Sequence, residues 1–181
     1  MVKNNIYNIK DIEGFSLVEL MVVIALLGIL AAISVPNLLK NLPEKRLKGA
    51  ARNVYADMQK ARLQAVKENR DIAVRFDTGD QFYYIDDDQD GESGYKTWES
   101  DELKKDLADY GGVEFGHAAT TTNWNNDTIN ASVKDITFKS RGEANNGSIY
   151  LQSQSNQEVC YAITVTQFGA VKIRRYSGSW E

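Results

Sequence analysis

The chain has 181 residues, with 21 Lys+Arg against 25 Asp+Glu and a net charge of −4. That length allows one domain with a proper core plus an appendage, and that charge leaves no global basic field for nucleic acid. One cysteine, Cys160, excludes an internal disulfide and a cysteine-based metal cluster; the single histidine, His117, lies in the glycine-rich "GGVEFGHAAT", a poor place for a triad.

Near the N-terminus, twenty residues from Leu20 to Leu39 pass without a charge, matching the ~20 that a helix needs to cross a ~30 Å hydrocarbon core. The expectation is a membrane segment. A secretory signal is the alternative, since "AAISVP" imitates a cleavage site, but helical periodicity continues beyond it. Positive charge does not orient the segment: Lys3 and Lys10 precede it, while Lys40, Lys45, Arg46 and Lys48 follow. Glu19 stands at the start of the apolar run. A carboxylate near mid-bilayer costs about 2.5 to 3.5 kcal/mol and needs a partner; at the membrane edge, water or a helix N-terminus would hold it. Phe15 and Glu19 are four residues apart and share a helix face. A cut between Gly14 and Phe15 would therefore place a new α-amine one turn from the acid.

Gly14-Phe15-Ser16-Leu17-Val18-Glu19 with its apolar sequel resembles the processing motif of type IV pilins and of the pseudopilins of type II secretion. The resemblance implies a prepilin leader, residues 1–14, removed by a membrane peptidase that cuts after Gly14 and methylates Phe15. It implies that Glu19 pairs with the N-terminal amine of a neighbouring subunit during assembly, with residues 15–39 as the membrane and filament-core helix. Gly28 and Pro36 fall where pilins place helix-weakening residues, and bending or melting is expected at Pro36, which lacks an N–H donor. Asp11 and Glu13 make the end of the leader acidic where relatives are often basic.

Residues 40–70 continue as an amphipathic helix: Leu47, Ala50, Ala51, Val54, Met58, Ala61, Ala65 and Val66 form a stripe for a sheet to cover. Pro43 can restart the helix after the membrane part. A helix from Phe15 to about Asn69, fifty-five residues, would be a rod of about 80 Å. Residues 71–181 read as a β-rich head. Ile72/Val74/Phe76, Ile136/Phe138, Ile149/Leu151, Val159/Tyr161/Ile163/Val165 and Val171/Ile173 repeat at period two between turn signals such as "TGD" and "ANNGS". The fold class is α+β: a long N-terminal helix packed on a mainly antiparallel sheet. Asp86 to Asp135 reads as a long excursion, with Ser100 to Tyr110 either a short helix or an edge strand.

The stretches "DITFKSRGEANNGSIYLQ" and "CYAITVTQFGAVKIRR" resemble the head of the GspH/FimT-like minor pseudopilins, over roughly Asp135 to Arg175. The resemblance implies a structural subunit, not an enzyme. Its partners would be other pilin or pseudopilin subunits, the prepilin peptidase and the inner membrane, with the head in the periplasm.

Two further sites are weighed against simpler readings. Asp86, Asp88, Asp90 and Gly91 form the D-x-D-x-D-G front of a calcium loop, yet the twelfth position is Thr97 and not an acid. A solvated acidic turn is the simpler reading, so no cofactor is expected. Lys172, Arg174 and Arg175 follow the Gly169 turn, where some FimT-like minor pilins bind DNA through a Gly-Arg-x-Arg pattern. Here the residues are Gly169-Ala170-Val171-Lys172, and alternation along a strand lets only one of the two arginines share a face with Lys172. DNA uptake is the alternative function; a charge-protected strand edge is the simpler reading. Cys160 is expected to pack as a small apolar residue. Trp98, Trp124 and Trp180 are either a lid on the head or contacts to neighbouring subunits.

Overall fold

The computed structural model describes residues 15–86, 104–129 and 135–181. The chain divides after Lys40 into two compact units. One helix, α1 (Leu17–Glu68), is the regular structure described for the first unit and opens the second. It starts at an N-cap: the Ser16 hydroxyl oxygen accepts from the Glu19 amide at 3.1 Å, while the Ser16 carbonyl accepts from the Leu20 amide. It ends where Asn69 turns left-handed, at φ 51°, and the Arg70 amide donates back to the Ala65 carbonyl.

In the first unit, Leu17–Pro36 has a mean hydropathy of 2.7 and none of it is buried. The melting expected at Pro36 is not seen, because α1 is helical through Gly28, Pro36 and Pro43. A proline deletes one donor, and the bonds of the turns on either side keep the helix.

In the second unit, the predicted stripe is the core face of α1. Leu47, Ala50, Ala51, Val54, Met58, Ala61 and Ala65 are all fully buried. Val66 departs from the expectation and is half exposed; it lies on the flank, where its Cγ2 faces the Gly142 turn. The four alanines let strands approach the helix closely, and the larger side chains each contribute about 1.5 to 3 kcal/mol through burial.

The head is antiparallel, as expected, and among the described residues it forms two four-stranded sheets in which every pair is antiparallel. The first contains β1 (Ile72–Asp77), β2 (Phe82–Asp86), β3 (Lys105–Asp106) and β5 (Asp135–Phe138), in the order β3-β2-β1-β5. The second contains β4 (Val113–Phe115), β6 (Gly147–Ser153), β7 (Cys160–Val165) and β8 (Val171–Tyr176), in the order β4-β6-β7-β8. One core serves both sheets and the helix; Phe76 of β1 meets Phe115 of β4 edge to face at 5.9 Å. The described part of the Ser100–Tyr110 stretch, from residue 104, combines both alternatives, since the edge strand β3 runs into a 3-10 turn at Leu107–Tyr110.

Register gives β6–β8 two distinct faces. Ile149, Leu151, Tyr161, Ile163, Val165, Val171 and Arg175 fall on one, and Tyr150, Gln152, Cys160, Ala162, Thr164, Lys172, Arg174 and Tyr176 on the other. The second face is covered by residues 116–129. Their Gly116 amide donates to the Tyr150 carbonyl, and the Ala118 amide donates to Gln152 Oε1 at 2.6 Å.

Candidate functional site

Phe15 and Glu19, the residues expected to be processed and to act in assembly, lie at the start of α1. Phe15 is 81% exposed just before the helix, and Glu19 sits in its first turn, one turn from Phe15. The S-x-x-E spacing of Ser16 and Glu19 matches a capping box, and the Ser16 hydroxyl caps the turn that carries Glu19. Gly14 lies outside the described residues. Beyond Glu19, the apolar side chains from Leu20 to Leu39 have no cover within the subunit. A Cβ added at Gly28 would meet nothing within 4 Å, so no neighbour within the subunit requires a glycine there.

The three C-terminal cations are not brought together. Arg175 faces the helix side of the second sheet, where its Nη2 lies 2.8 Å from Glu44 Oε1 and its Nη1 is 3.8 Å from Glu181. The bond to Glu44 raises the Arg175 guanidinium further above its ordinary value. Arg174 lies on the opposite face with its guanidinium 4.8 Å from the Trp124 ring centre, and its Nε is buried with no hydrogen bond among the described residues. Lys172 shares that face. Of the three cations weighed as a DNA contact, Arg175 is committed to the helix side by Glu44, while Arg174, stacked on Trp124, and the exposed Lys172 share the opposite face.

Asp86 ends β2, and Arg75 donates to its carboxylate across the strand pair. The first acid of the calcium-loop pattern thus has a cationic partner already; Asp88 and Asp90 lie outside the described residues. Among the described residues no three His, Cys, Asp or Glu side chains gather as a metal site.

The tryptophans divide between two cases. Trp98 lies outside the described residues, while Trp124 and Trp180 pack edge to face at 5.8 Å over the outer face of the second sheet. Trp180 also meets Tyr150 and Tyr176, and its Nε1 donates to the Thr122 carbonyl at 2.8 Å. These contacts make the 116–129 cover part of the fold. Between this cover and the β7–β8 turn lies an open concavity of about 630 Å³, with Trp124 and Phe168 at its sides and Lys172 and Arg174 among its lining residues.

Cys160 is fully buried, as expected, and burial pushes its thiol up to about 12. A buried polar cluster joins the helix to the first sheet. Asp57 of α1 accepts from the Tyr83 hydroxyl at 2.8 Å and from Lys105 Nζ at 2.7 Å. It ties β2 and β3 to the helix.

Comparison with known proteins agrees with this architecture. Residues 50–169 match the family described as Type II transport protein GspH, and residues 9–35 match the prokaryotic N-terminal methylation motif. No curated protein matches the chain. Among solved structures, the minor pseudopilin EpsH from the type 2 secretion system of Vibrio cholerae superposes with a TM-score of 0.50 at 15% identity, covering 71% of this chain and 95% of that one. The type IV minor pilin FimU of Pseudomonas aeruginosa gives a TM-score of 0.50 at 16% identity, covering 72% of this chain and 89% of that one. At such identities the likeness concerns the fold, an N-terminal helix followed by antiparallel sheets. With two thirds of its length matched by the family and the methylation motif placed at the head of its apolar helix, the chain belongs to the GspH family of minor pseudopilins.

Proposed function

We propose that this chain is a filament subunit: it is cut between Gly14 and Phe15, methylated at Phe15, held in the inner membrane by α1, and drawn into a pseudopilus or pilus through Glu19. The observation that carries the reading is the first turn of α1. It places a carboxylate one turn from Phe15, at the head of an apolar span with no cover inside the subunit. In lipid that carboxylate gains most from a cationic partner, and a neighbouring subunit's new amine is such a partner. The bare apolar helix gains in the same step, since filament neighbours replace lipid around it. The head, on this reading, stays in the periplasm until assembly.

Mass spectrometry of the membrane-extracted protein tests the first step. A mature N-terminus at methylated Phe15 is expected, and a chain that keeps Met1 in peptidase-positive cells refutes the cut. Glu19→Ala or Glu19→Val tests the second: membrane insertion persists while filament entry falls, and normal incorporation removes the pairing role.

A further inference from the structure

Among the described residues, β8 is the outer strand of its sheet and only half of its free edge is used. Register places Lys172 and Arg174 toward β7, opposite Thr164 and Ala162, so the backbone groups of Val171, Ile173 and Arg175 point away from the sheet. The C-terminal residues take the Arg175 position: the Arg175 and Glu181 backbones exchange two hydrogen bonds, of 3.2 and 2.8 Å, and Tyr176 bridges to Trp180. The N–H and C=O of Val171 and Ile173 have no hydrogen-bond partner among the described residues. The corresponding edge of the other sheet is closed, since Asn145 fills it with bonds to Thr137 and Asp135.

Side chains along the open half are patterned. Lys172 and Arg174 lie on the concavity side, and neither makes an ion pair with any described residue. Ile173 lies on the other face, 37% exposed. Among the described residues, no acidic side chain lines the concavity. The C-terminus already shows what suits this edge, for Glu181 is an acid on an extended segment whose carboxylate approaches a β8 arginine.

We infer that the Val171–Ile173 edge of β8 is a docking site for an extended segment of another protein chain, alternately acidic and apolar, which adds as a further strand. Its backbone completes the ladder at Val171 and Ile173. Its acidic side chains pair with Lys172 and Arg174, and its apolar ones cover Ile173. Charge complementarity selects the acids, and the strand edge selects an extended backbone over a duplex. The inference deepens the subunit reading by describing how a head grips a neighbour. Peptide binding does not depend on Glu19 or on filament entry, so either idea can fail alone.

The probe is a fluorescein-labelled Glu-Val-Glu-Val-Glu peptide titrated against the full chain in detergent micelles, with Lys-Val-Lys-Val-Lys, an alternately N-methylated acidic peptide and duplex DNA in parallel. Saturable binding of the acidic peptide is expected, at least tenfold tighter than either peptide control. Lys172→Glu with Arg174→Glu should weaken it at least tenfold. Ile173→Pro should do the same with the fold retained, because the N–H it removes faces away from β7; circular dichroism checks the fold. Equal binding of the N-methylated peptide, retention by folded Ile173→Pro, preference for DNA, or no peptide binding each overturns the proposal.

Discussion

Gly169 and Gly142 meet so closely that a Cβ on Gly169 would stand 1.9 Å from the Gly142 carbonyl oxygen. Both are left-handed, at φ +70° and +80°. Arg62 of α1 holds the pair, donating from Nε to the Gly142 carbonyl at 3.2 Å and from Nη2 to the Phe168 carbonyl at 3.3 Å. One helix side chain thus anchors the turn before β6 and the turn before β8. Gly169→Ala is expected to cost well over the ~1 to 2 kcal/mol of a left-handed alanine, because backbone must also move. Gly178, at φ +90° with open space around it, is the control: alanine there should cost only about 1 to 2 kcal/mol. Guanidinium unfolding of the full chain in detergent, followed by tryptophan fluorescence, measures both. Equal losses would mean that the two turns do not touch.

Much of this architecture was legible because it is periodic. The α1 stripe follows 3.6-residue spacing, and five of the strands show as period-two runs. The β2 strand was missed because Phe82, Tyr83 and Tyr84 are consecutive aromatics that do not alternate. Division into two sheets was out of reach too, since alternation reports which faces are buried and not which strands pair. Parity did predict that one arginine would leave Lys172. That Glu44 holds it depends on a contact between residues 131 apart. Asp57 is the strongest case: it reads as an ordinary helix-surface acid until β2 and β3 arrive over it.

Asp57 is 8% exposed with two donors on one oxygen, so its variants should separate charge from hydrogen bonding. Asp57→Asn keeps an acceptor for Tyr83 and removes the counter-charge of Lys105, whose side chain is 32% exposed and regains water. A loss of about 1 to 2 kcal/mol is expected, below the 3 to 5 of a fully buried pair. Asp57→Ala removes the acceptor that both donors share and should cost about 3 kcal/mol. Chemical unfolding gives the totals, and hydrogen exchange at Lys105 and Asp106 should rise first. Asn and Ala variants of equal stability would show that the charge is irrelevant.

Ser16 and Glu19 separate helix capping from assembly. The Ser16 hydroxyl holds the Glu19 amide, so Ser16→Ala should destabilise the first turn by about 1 kcal/mol. That corresponds to roughly fivefold faster exchange of the Glu19 amide. Filament entry should fall far less than with Glu19→Ala, because the carboxylate remains. Glu19→Gln keeps the side-chain length but not the charge and should behave like Glu19→Ala. If Ser16→Ala blocks assembly as fully, the first turn acts through its helical order and not through the acid.

Alkaline pH should weaken the head, and the sign follows from its buried acids. Burial raises the Cys160 thiol from 9.0 to about 12. Burial also raises Tyr83, with the Asp57 bond adding to the effect, and burial raises Tyr150 and Tyr161. In each case the folded state keeps a proton that the unfolded chain releases, the thiol from about pH 9 and the phenols from about pH 10. Stability is therefore full below pH 9 and falls as pH rises from 9 toward 12 and beyond. Melting temperatures of the full chain in detergent should decline over that range. Cys160→Ala should flatten the part of the slope that begins near pH 9 while leaving the phenol part. In the native protein at pH 8, Cys160 should ignore Ellman's reagent and react only on unfolding. A pH-independent melting temperature, or a thiol that titrates fast in the folded state, would place Cys160 at the surface and not under the cover formed by residues 116–129 and Trp180.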